Sequence, residues 1–148
     1  IKAATGEYLL FLNSGDNLLN KEIINSVIPY LGKEDIVYGD GIFNTDEGDR
    51  IKTSIPENLN LSYFSQSSLF HPSSFIKKEL FNKYGLYNEA NKIVSDWEFF
   101  ILAILKNNCS IRKIDYYISE VEDGGISRNS DYSLKLQDEI NKNRNLGM

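Results

Sequence analysis

The feature that most constrains the fold is an apolar run, Tyr8–Leu12, which passes directly into the polar turn Asn13–Asp16. Large apolar residues in an unbroken run of strand length, bounded by polar residues, are typical of a strand buried on both faces of a parallel α/β sheet. Ligands of such sheets bind beyond the carboxyl ends of the strands, so the turn is a candidate site. The alternative is a turn whose residues serve only local hydrogen bonding and permissive backbone dihedrals.

Composition limits the classes of protein to which the chain can belong. A length of 148 residues with 41% hydrophobic residues predicts one globular domain with a real core. The formal net charge of −5 and the lack of a basic cluster among aromatics argue against nucleic acid as a partner. The single cysteine, Cys109, excludes an intrachain disulfide and a multi-cysteine metal site, and we expect it in the core.

The sequence contains neither an apolar run of membrane-spanning length nor a secretory signal pattern. We therefore expect a cytoplasmic location, and peripheral association with the inner face of the plasma membrane stays open. The residues 1–6 read like the end of a helix with Gly6 as its terminator, which leads us to expect further chain before Ile1.

The first half of the chain predicts a helix and a hairpin after the opening strand. Asn20 can cap a helix in which the apolar residues of Ile23–Ile28 recur at helical spacing. Asp35–Phe43 reads as a second strand, with Asp40 between two glycines, and pairs in a hairpin with Ile51–Ser54. The glycines would let a ligand or backbone approach Asp40, although a β-bulge is the simpler explanation on local grounds.

The second half predicts two further strands and three helices. His71–Ile76 reads as a strand, and Lys77–Tyr84 as a short helix that Gly85 ends. The most convincing helix begins at Ser95, where Ser95 and Glu98 fit a capping box and the apolar residues from Trp97 onward repeat at helical spacing. A last strand is predicted over 110–118, an acidic glycine-bearing loop over 120–129, and a C-terminal helix over 130–148.

Two candidate site residues each have a structural alternative. His71 is the only histidine, and a single histidine is more often a hydrogen-bonded packing residue than a ligand. Asp96 stands in the first turn of a helix, where the macrodipole favours a carboxylate whether or not it does chemistry. The helix dipole would lower the pKa of Asp96, whereas apolar neighbours such as Trp97 would raise it.

Several separated stretches together resemble the second half of a family 2 glycosyltransferase of the GT-A fold, and they cover nearly the whole chain. The resemblance implies an α/β domain with a partial GT-A-like mixed sheet flanked by helices. It divides 1–148 into the end of the donor and metal region (1–54), an acceptor and catalytic region (55–129) and the C-terminal helix. The stretches that carry the resemblance are Ala4–Asp16, Ile36–Asp40, His71–Phe81, Gly85–Glu89, Ser95–Phe100 and Gly124–Ser127.

The resemblance implies that the turn after the first strand holds a divalent cation against the diphosphate of a nucleotide-sugar donor. Asn13 and Gly15 stand where the family commonly has aspartate, which leaves Asp16 as the metal carboxylate. Mg²⁺ and Mn²⁺ favour oxygen ligands, and Mg²⁺ is commonly held by one or two carboxylates plus substrate phosphates. Asn13 can still offer a neutral oxygen to the cation.

The family also implies roles for residues later in the chain. Asp96 resembles the base that takes the proton from an acceptor hydroxyl during inverting sugar transfer. The acceptor is expected to be a saccharide or a lipid-linked molecule, and bacterial surface-polysaccharide assembly is an expectation of the family as a whole. The residues assigned to the acceptor pocket or its closing loop are Asp40, His71, Trp97, Glu98, Gly124, Gly125 and Ser127.

Two other functional classes stay open. The chain could be catalytically incompetent and act as a carbohydrate-binding or assembly module, because the family's donor-binding strands would precede Ile1. A nucleotidyltransferase is a third reading, but no Gly-rich phosphate loop supports it. Loss of neighbouring strands would also expose an edge of the sheet, so self-association of the chain is expected.

Overall fold

A mixed β-sheet flanked by helices forms the body of the protein in the computed structural model, which describes residues 1–91 and 94–122. The strands of the described part are Tyr8–Leu9 (β1), Asp16–Leu18 (β2), Ile36–Asn44 (β3), Arg50–Lys52 (β4), Ser74–Lys77 (β5) and Ile111–Glu122 (β6). The α-helices are Ile23–Val27 (α1), Leu61–Phe64 (α2), Lys78–Tyr84 (α3) and Ser95–Phe100 (α4). Two 3₁₀ turns, Ile28–Tyr30 and His71–Ser73, and a π-helical segment, Ile101–Lys106, complete the described elements.

The sheet has the order β1-β5-β3-β6-β2, and β4 pairs with the far end of β3. Only the pair of β3 and β6 is parallel, whereas every other pair in the described sheet is antiparallel. The expectation of a mixed α/β sheet with flanking helices is confirmed, and the reading of a parallel sheet from the apolar run is wrong.

The Tyr8–Leu12 run does not form the central strand. Its strand, β1, ends at Leu9, lies at the end of the described sheet and pairs antiparallel with β5. The run does contact the cores on both sides of the sheet, but Leu12 is 42% exposed. The central, doubly buried strand is β3, where Ile36, Val37 and Tyr38 are fully buried. Neighbours from distant parts of the chain decide which apolar run is central, and a local pattern does not carry that information.

Successive residues of β3 supply the two cores of the domain. Ile36 and Tyr38 pack with α3, α4 and the π-helical segment on one face, whereas Val37 packs with α1 on the other. The alternation follows from the period of two along a strand. Cys109 packs against the first core, and its burial raises the pKa of the thiol to about 12.

The bulge predicted at Asp40 is confirmed, because the β3–β6 register shifts on either side of this residue. The hairpin of β3 and β4 and the end of α3 at Gly85 are confirmed as well. At Gly41, the ring of Phe70 lies 2.0 Å from where a Cβ would stand, so a side chain at this position would displace the ring. The glycine therefore serves close packing of an aromatic ring against β3.

One predicted helix beginning and one strand beginning need correction. Asn20 accepts a hydrogen bond from the Glu22 amide but lies before the cap position of α1, which is Glu22 itself. His71 begins a 3₁₀ turn rather than a strand, since Pro72 cannot donate a ladder hydrogen bond. No helix in the described ranges is long and apolar enough to cross a membrane.

Candidate active site

His71 is the centre of a cluster of titratable and aromatic side chains. Its Nδ1 lies 3.8 Å from Oδ2 of Asp96, and its Nε2 lies 2.8 Å from the hydroxyl of Tyr87. The ring stacks on Phe11 with centroids 5.0 Å apart and an interplanar angle of 18°. The His71 side chain is only 15% exposed, so its position is fixed by packing on one side and by polar contacts on both nitrogens.

The 3₁₀ turn that carries His71 is held to the sheet by serine hydroxyls. Ser73 and Ser119 are both fully buried, and their hydroxyls lie 2.7 Å apart, which ties the turn to β6. The Ser74 hydroxyl donates to the carbonyl of Phe70 at 2.9 Å. Buried hydroxyls that satisfy each other add directional restraint to the packing. The turn that carries His71 is therefore held in place by hydrogen bonds to β6 and to Phe70.

Burial lowers the pKa of the His71 imidazole, while the negative charges of Asp96 and Asp16 act in the opposite direction. The imidazole is therefore neutral near pH 7. Burial, reinforced by the charge of Asp96, raises the pKa of the Tyr87 phenol, which keeps its proton. A protonated Tyr87 can donate to Nε2, and this assignment places the ring proton on Nδ1, the nitrogen that faces Asp96.

Among the residues that the structure describes, Asp96 keeps one carboxylate oxygen without a short contact to protein. Its Oδ1 accepts a hydrogen bond of 2.8 Å from the Trp97 amide, and its Oδ2 lies too far from Nδ1 of His71 for a direct hydrogen bond. The Asp96 side chain is 29% exposed, so a small molecule can reach it. A partly exposed carboxylate with a free oxygen can accept a proton from a bound hydroxyl.

The capping box predicted at the start of α4 is wrong. Val94 occupies the cap position, and no side chain caps the helix there. Glu98 instead accepts a hydrogen bond of 2.6 Å from the amide group of Asn91. The preceding turn therefore occupies the carboxylate that a capping box requires.

Asp16 closes the turn that follows β1. Its Oδ2 accepts a hydrogen bond of 2.8 Å from the Asn13 amide, and its own amide donates to the Asn13 carbonyl at 3.0 Å. Gly15 has a φ of 94°, a value that glycine adopts without strain. Asp16 begins β2, and its negative charge acts on the same His71 imidazole as the charge of Asp96.

The residues near Asp16 fit a divalent cation only in a limited way. The described ranges hold no group of three or more His, Cys, Asp or Glu side chains that could bind a metal ion. One Asp16 oxygen is engaged by the Asn13 amide, which leaves the other oxygen for a cation. This donor set suits a cation that takes most of its ligands from water and substrate phosphates, as Mg²⁺ commonly does.

Two other predicted site residues, Asp40 and Trp97, are bound to partners within the fold, and three more lie outside the described residues. Asp40 forms an ion pair with Lys113 at 2.6 Å and accepts from the Ile55 amide at 2.7 Å. Trp97 is buried, and its indole donates to the Phe64 carbonyl at 2.8 Å, which anchors α4 on α2. The remaining three predicted residues, together with the predicted C-terminal helix, lie outside the described residues: Gly124, Gly125 and Ser127.

Sequence reasoning missed Phe11 and Tyr87 as members of the cluster. Phe11 belonged to a run read only as a core strand, and Tyr87 lies in a stretch used only for the resemblance. No spacing rule links either residue to His71, because the contacts join three separate segments of chain. In the sequence, only the family resemblance links the separate segments that carry Phe11, His71 and Tyr87 to one another.

The comparisons with known proteins lead to glycosyltransferases. No family model matches the chain. Curated relatives include proteins named PGL/p-HBAD biosynthesis glycosyltransferase from Mycobacterium bovis and from Mycobacterium tuberculosis. Each is 29% identical over 104 residues, which cover 68% of this chain and 39% of the relative. The chain thus spans about two fifths of the length of these relatives and is a distant, partial homologue of proteins named as glycosyltransferases.

Proposed function

We propose that this chain carries the catalytic part of an inverting glycosyltransferase of the GT-A type, similar to family 2. It would transfer a sugar from a nucleotide-sugar donor to a hydroxyl of a saccharide or lipid-linked acceptor. The observation that carries the proposal is the accessible Asp96 carboxylate beside a neutral His71, with Asp16 close enough to act on the same imidazole. The distant relationship to proteins named as glycosyltransferases supports it.

Asp96 is the base in this proposal. Its free oxygen takes the proton of the acceptor hydroxyl as the acceptor oxygen attacks the anomeric carbon on the face opposite the leaving diphosphate. The bond between the anomeric carbon and the diphosphate oxygen breaks in the same step, so the configuration at that carbon inverts. His71 is a positioning residue, because the proton assigned to Nδ1 is directed toward Oδ2 at 3.8 Å and favours one orientation of the carboxylate electrostatically, without a direct hydrogen bond.

Asp16 is proposed as the protein ligand of Mg²⁺ or Mn²⁺ at the donor diphosphate, with Asn13 and Gly15 shaping the turn. A bound divalent cation neutralises the charge that builds on the leaving diphosphate. The hydrogen bond from the Asn13 amide holds the Asp16 carboxylate in one orientation, which leaves its second oxygen for the cation. Donor binding would therefore depend on both the cation and this carboxylate.

The first test measures sugar transfer by Asp96→Asn. Asparagine keeps the shape of the side chain and removes the base, so we expect kcat to fall by about 10²- to 10⁴-fold. Asp115→Asn, at an exposed position of β6, is the matched control and should leave kcat unchanged. An unchanged kcat for Asp96→Asn would contradict the assignment of the base.

The second test is calorimetric titration of UDP, GDP and dTDP with and without Mn²⁺. We expect binding of one of the three that requires Mn²⁺ and is lost in Asp16→Ala, because this variant removes the proposed metal ligand. Asp46→Ala, in the exposed turn between β3 and β4, is the control. Glycan binding that neither nucleotide nor Mn²⁺ affects, without transfer, would instead support a carbohydrate-binding module.

A further inference from the structure

A concave site lies beside the segment that carries His71. It is a cavity of about 320 Å³ between the β3–β4 hairpin, α2 and the segment that precedes the 3₁₀ turn. Ligand pockets for small molecules begin at about this size. The volume equals that of about ten water molecules in the liquid, which is room for one six-membered sugar ring and not for a whole nucleotide sugar.

Aromatic rings form the walls of the cavity. Phe43 and Phe70 meet edge to face with centroids 4.9 Å apart, and Tyr63 contributes a third ring. The Phe70 ring lies against the backbone of Gly41, where no side chain fits beneath it. The walls are therefore preformed, and flat apolar surfaces of this kind pack well against the C–H faces of a sugar ring.

Hydroxyl groups accompany these aromatic walls. Thr53, Ser54, Ser67 and Ser68 all line the cavity, and the Tyr63 hydroxyl donates to the Ser68 carbonyl at 2.6 Å. Within the described part of the chain, the Ser68 hydroxyl is buried and has no hydrogen-bond partner. A buried polar group without a partner is unfavourable, and a ligand hydroxyl that pairs with it would offset this cost.

Charge is missing from this lining. None of the described residues that line the cavity carries a formal charge, although Asp40 and Lys113 form their ion pair nearby on β3 and β6. Burying a phosphate or a carboxylate without a cation is strongly unfavourable. Burial also raises the pKa of the Tyr63 phenol, which remains protonated and neutral. The cavity is therefore suited to a ligand with hydroxyl groups and no charge.

The cavity and the candidate active site share their supports. Phe70 in the cavity wall directly precedes His71, and the carbonyl of Phe70 is held by Ser74. The indole of Trp97, next to Asp96 on α4, is bonded to α2, which also carries Tyr63. The two sites are therefore joined directly through Phe70–His71 and through the Trp97 hydrogen bond to α2.

From the lining and these connections, we infer that the cavity binds one neutral pyranose ring of the acceptor, and that it rejects uronic acids and phosphorylated sugars. The inference names the acceptor class of the proposed transfer and rests on that proposed function. The Ser68 hydroxyl and the aromatic walls are its specificity determinants. None of the residues in this cavity was assigned to the reaction above, so binding can be measured separately from transfer.

The test follows backbone amide shifts of the whole chain by NMR while methyl α-glucopyranoside, methyl α-mannopyranoside or methyl α-glucuronide is added. We expect at least one neutral glycoside to shift the amides of residues 53–55 and 67–70, and the glucuronide to bind at least about tenfold more weakly. Shifts confined to other regions, or equal binding of the glucuronide, would overturn the inference.

Two variants and one control locate the site. Ser68→Ala removes the hydroxyl without a partner and should weaken glycoside binding about fivefold without lowering stability. Ser54→Phe, at an exposed lining position, should fill the entrance and abolish binding. Ser62→Ala, exposed on α2 and outside the lining, should bind like the parent. Unchanged binding in both Ser68→Ala and Ser54→Phe would also overturn the inference.

The outcomes separate this inference from the proposed function. Pocket-localised binding without any sugar transfer would support the subsite and count against the glycosyltransferase. Transfer whose KM for a neutral acceptor is the same in the parent and in Ser54→Phe would support the enzyme and overturn the subsite.

Discussion

Asp40 and Asp96 are two poorly exposed carboxylates with opposite surroundings. Asp40 is 14% exposed, and its oxygens meet the Lys113 ammonium at 2.6 Å and the Ile55 amide at 2.7 Å. Asp96 is 29% exposed, receives one backbone hydrogen bond, and faces an imidazole at 3.8 Å that is neutral near pH 7. The charge of Asp40 is thus neutralised within the fold, whereas that of Asp96 is open to a ligand.

The difference teaches how to separate structural carboxylates from chemical ones. A carboxylate paired with a buried cation compensates that buried charge and has little capacity left for a substrate. A carboxylate with a free, accessible oxygen beside titratable groups is a candidate for proton transfer. By this criterion Asp40 is a structural residue and Asp96 a candidate base, although the sequence suggested a site role for both.

The largest effect on stability is expected for Asp40→Asn. The change leaves the Lys113 ammonium, only 12% exposed, without its carboxylate, so we expect the free energy of unfolding to fall by about 3 kcal/mol. Urea denaturation measures this value. Asp96→Asn should change it by less than about 1 kcal/mol, because no buried cation among the described residues loses its partner.

A double variant sharpens this prediction. Asp40→Asn combined with Lys113→Met removes both charges, and most of the lost stability should return. If Asp40→Asn and Asp96→Asn lowered the free energy of unfolding equally, the distinction between the two carboxylates would be lost.

A smaller effect is expected from the protonation of His71. The folded pKa of His71 lies below its ordinary value, so the unfolded chain binds the proton more readily. The contribution of the buried, neutral His71 imidazole to the free energy of unfolding is fully present above the ordinary pKa of about 6.5. It is lost as the pH falls through the folded pKa. Thermal unfolding should show that stability falls from pH 7 to pH 5. This fall should be smaller in His71→Gln than in the parent.

Because His71 is the only histidine, no other side chain of its type titrates in this window. The same slope in the parent and in His71→Gln would show that this imidazole is not buried as described. The measurement also tests the neutral state of the group that faces Asp96.

The smallest effect is expected for an ion pair at the surface. Arg50 and Glu120 lie 3.0 Å apart, but the Arg50 side chain is 58% exposed, and water screens the attraction. Arg50→Gln should lower the free energy of unfolding by less than about 0.5 kcal/mol in the same urea assay. A loss as large as that of Asp40→Asn would mean that burial does not govern the strength of these pairs.

Hairpins, bulges and helix ends were predictable where residues close together in sequence determine them. The hairpin of β3 and β4, the bulge at Asp40 and the end of α3 at Gly85 follow from turn residues and apolar periodicity. The capping box at Ser95 failed because Asn91 binds the Glu98 carboxylate. Competition for a single side chain is decided by geometry, which a spacing rule does not contain.

The candidate site was predictable only in part. His71, Asp96 and Asp16 were chosen from the sequence, and in the structure the charges of both carboxylates act on the His71 imidazole, while their roles stay predictions. Tyr87 and Phe11 were missed, and Asp40 proved to be paired with Lys113, which is distant in sequence. The metal ligands, the donor and the inverting mechanism stay predictions.

The sequence by itself determined the β3–β4 hairpin, the helix end at Gly85 and the residue types available for chemistry. These depend on backbone preferences and on the periodicity of burial, which act over a few neighbouring residues. The tertiary structure decided that β3 is the central strand, and it decided which carboxylate meets a cation and which remains open. Strand pairing and electrostatic energy depend on distances between remote segments, and only the folded chain sets those distances.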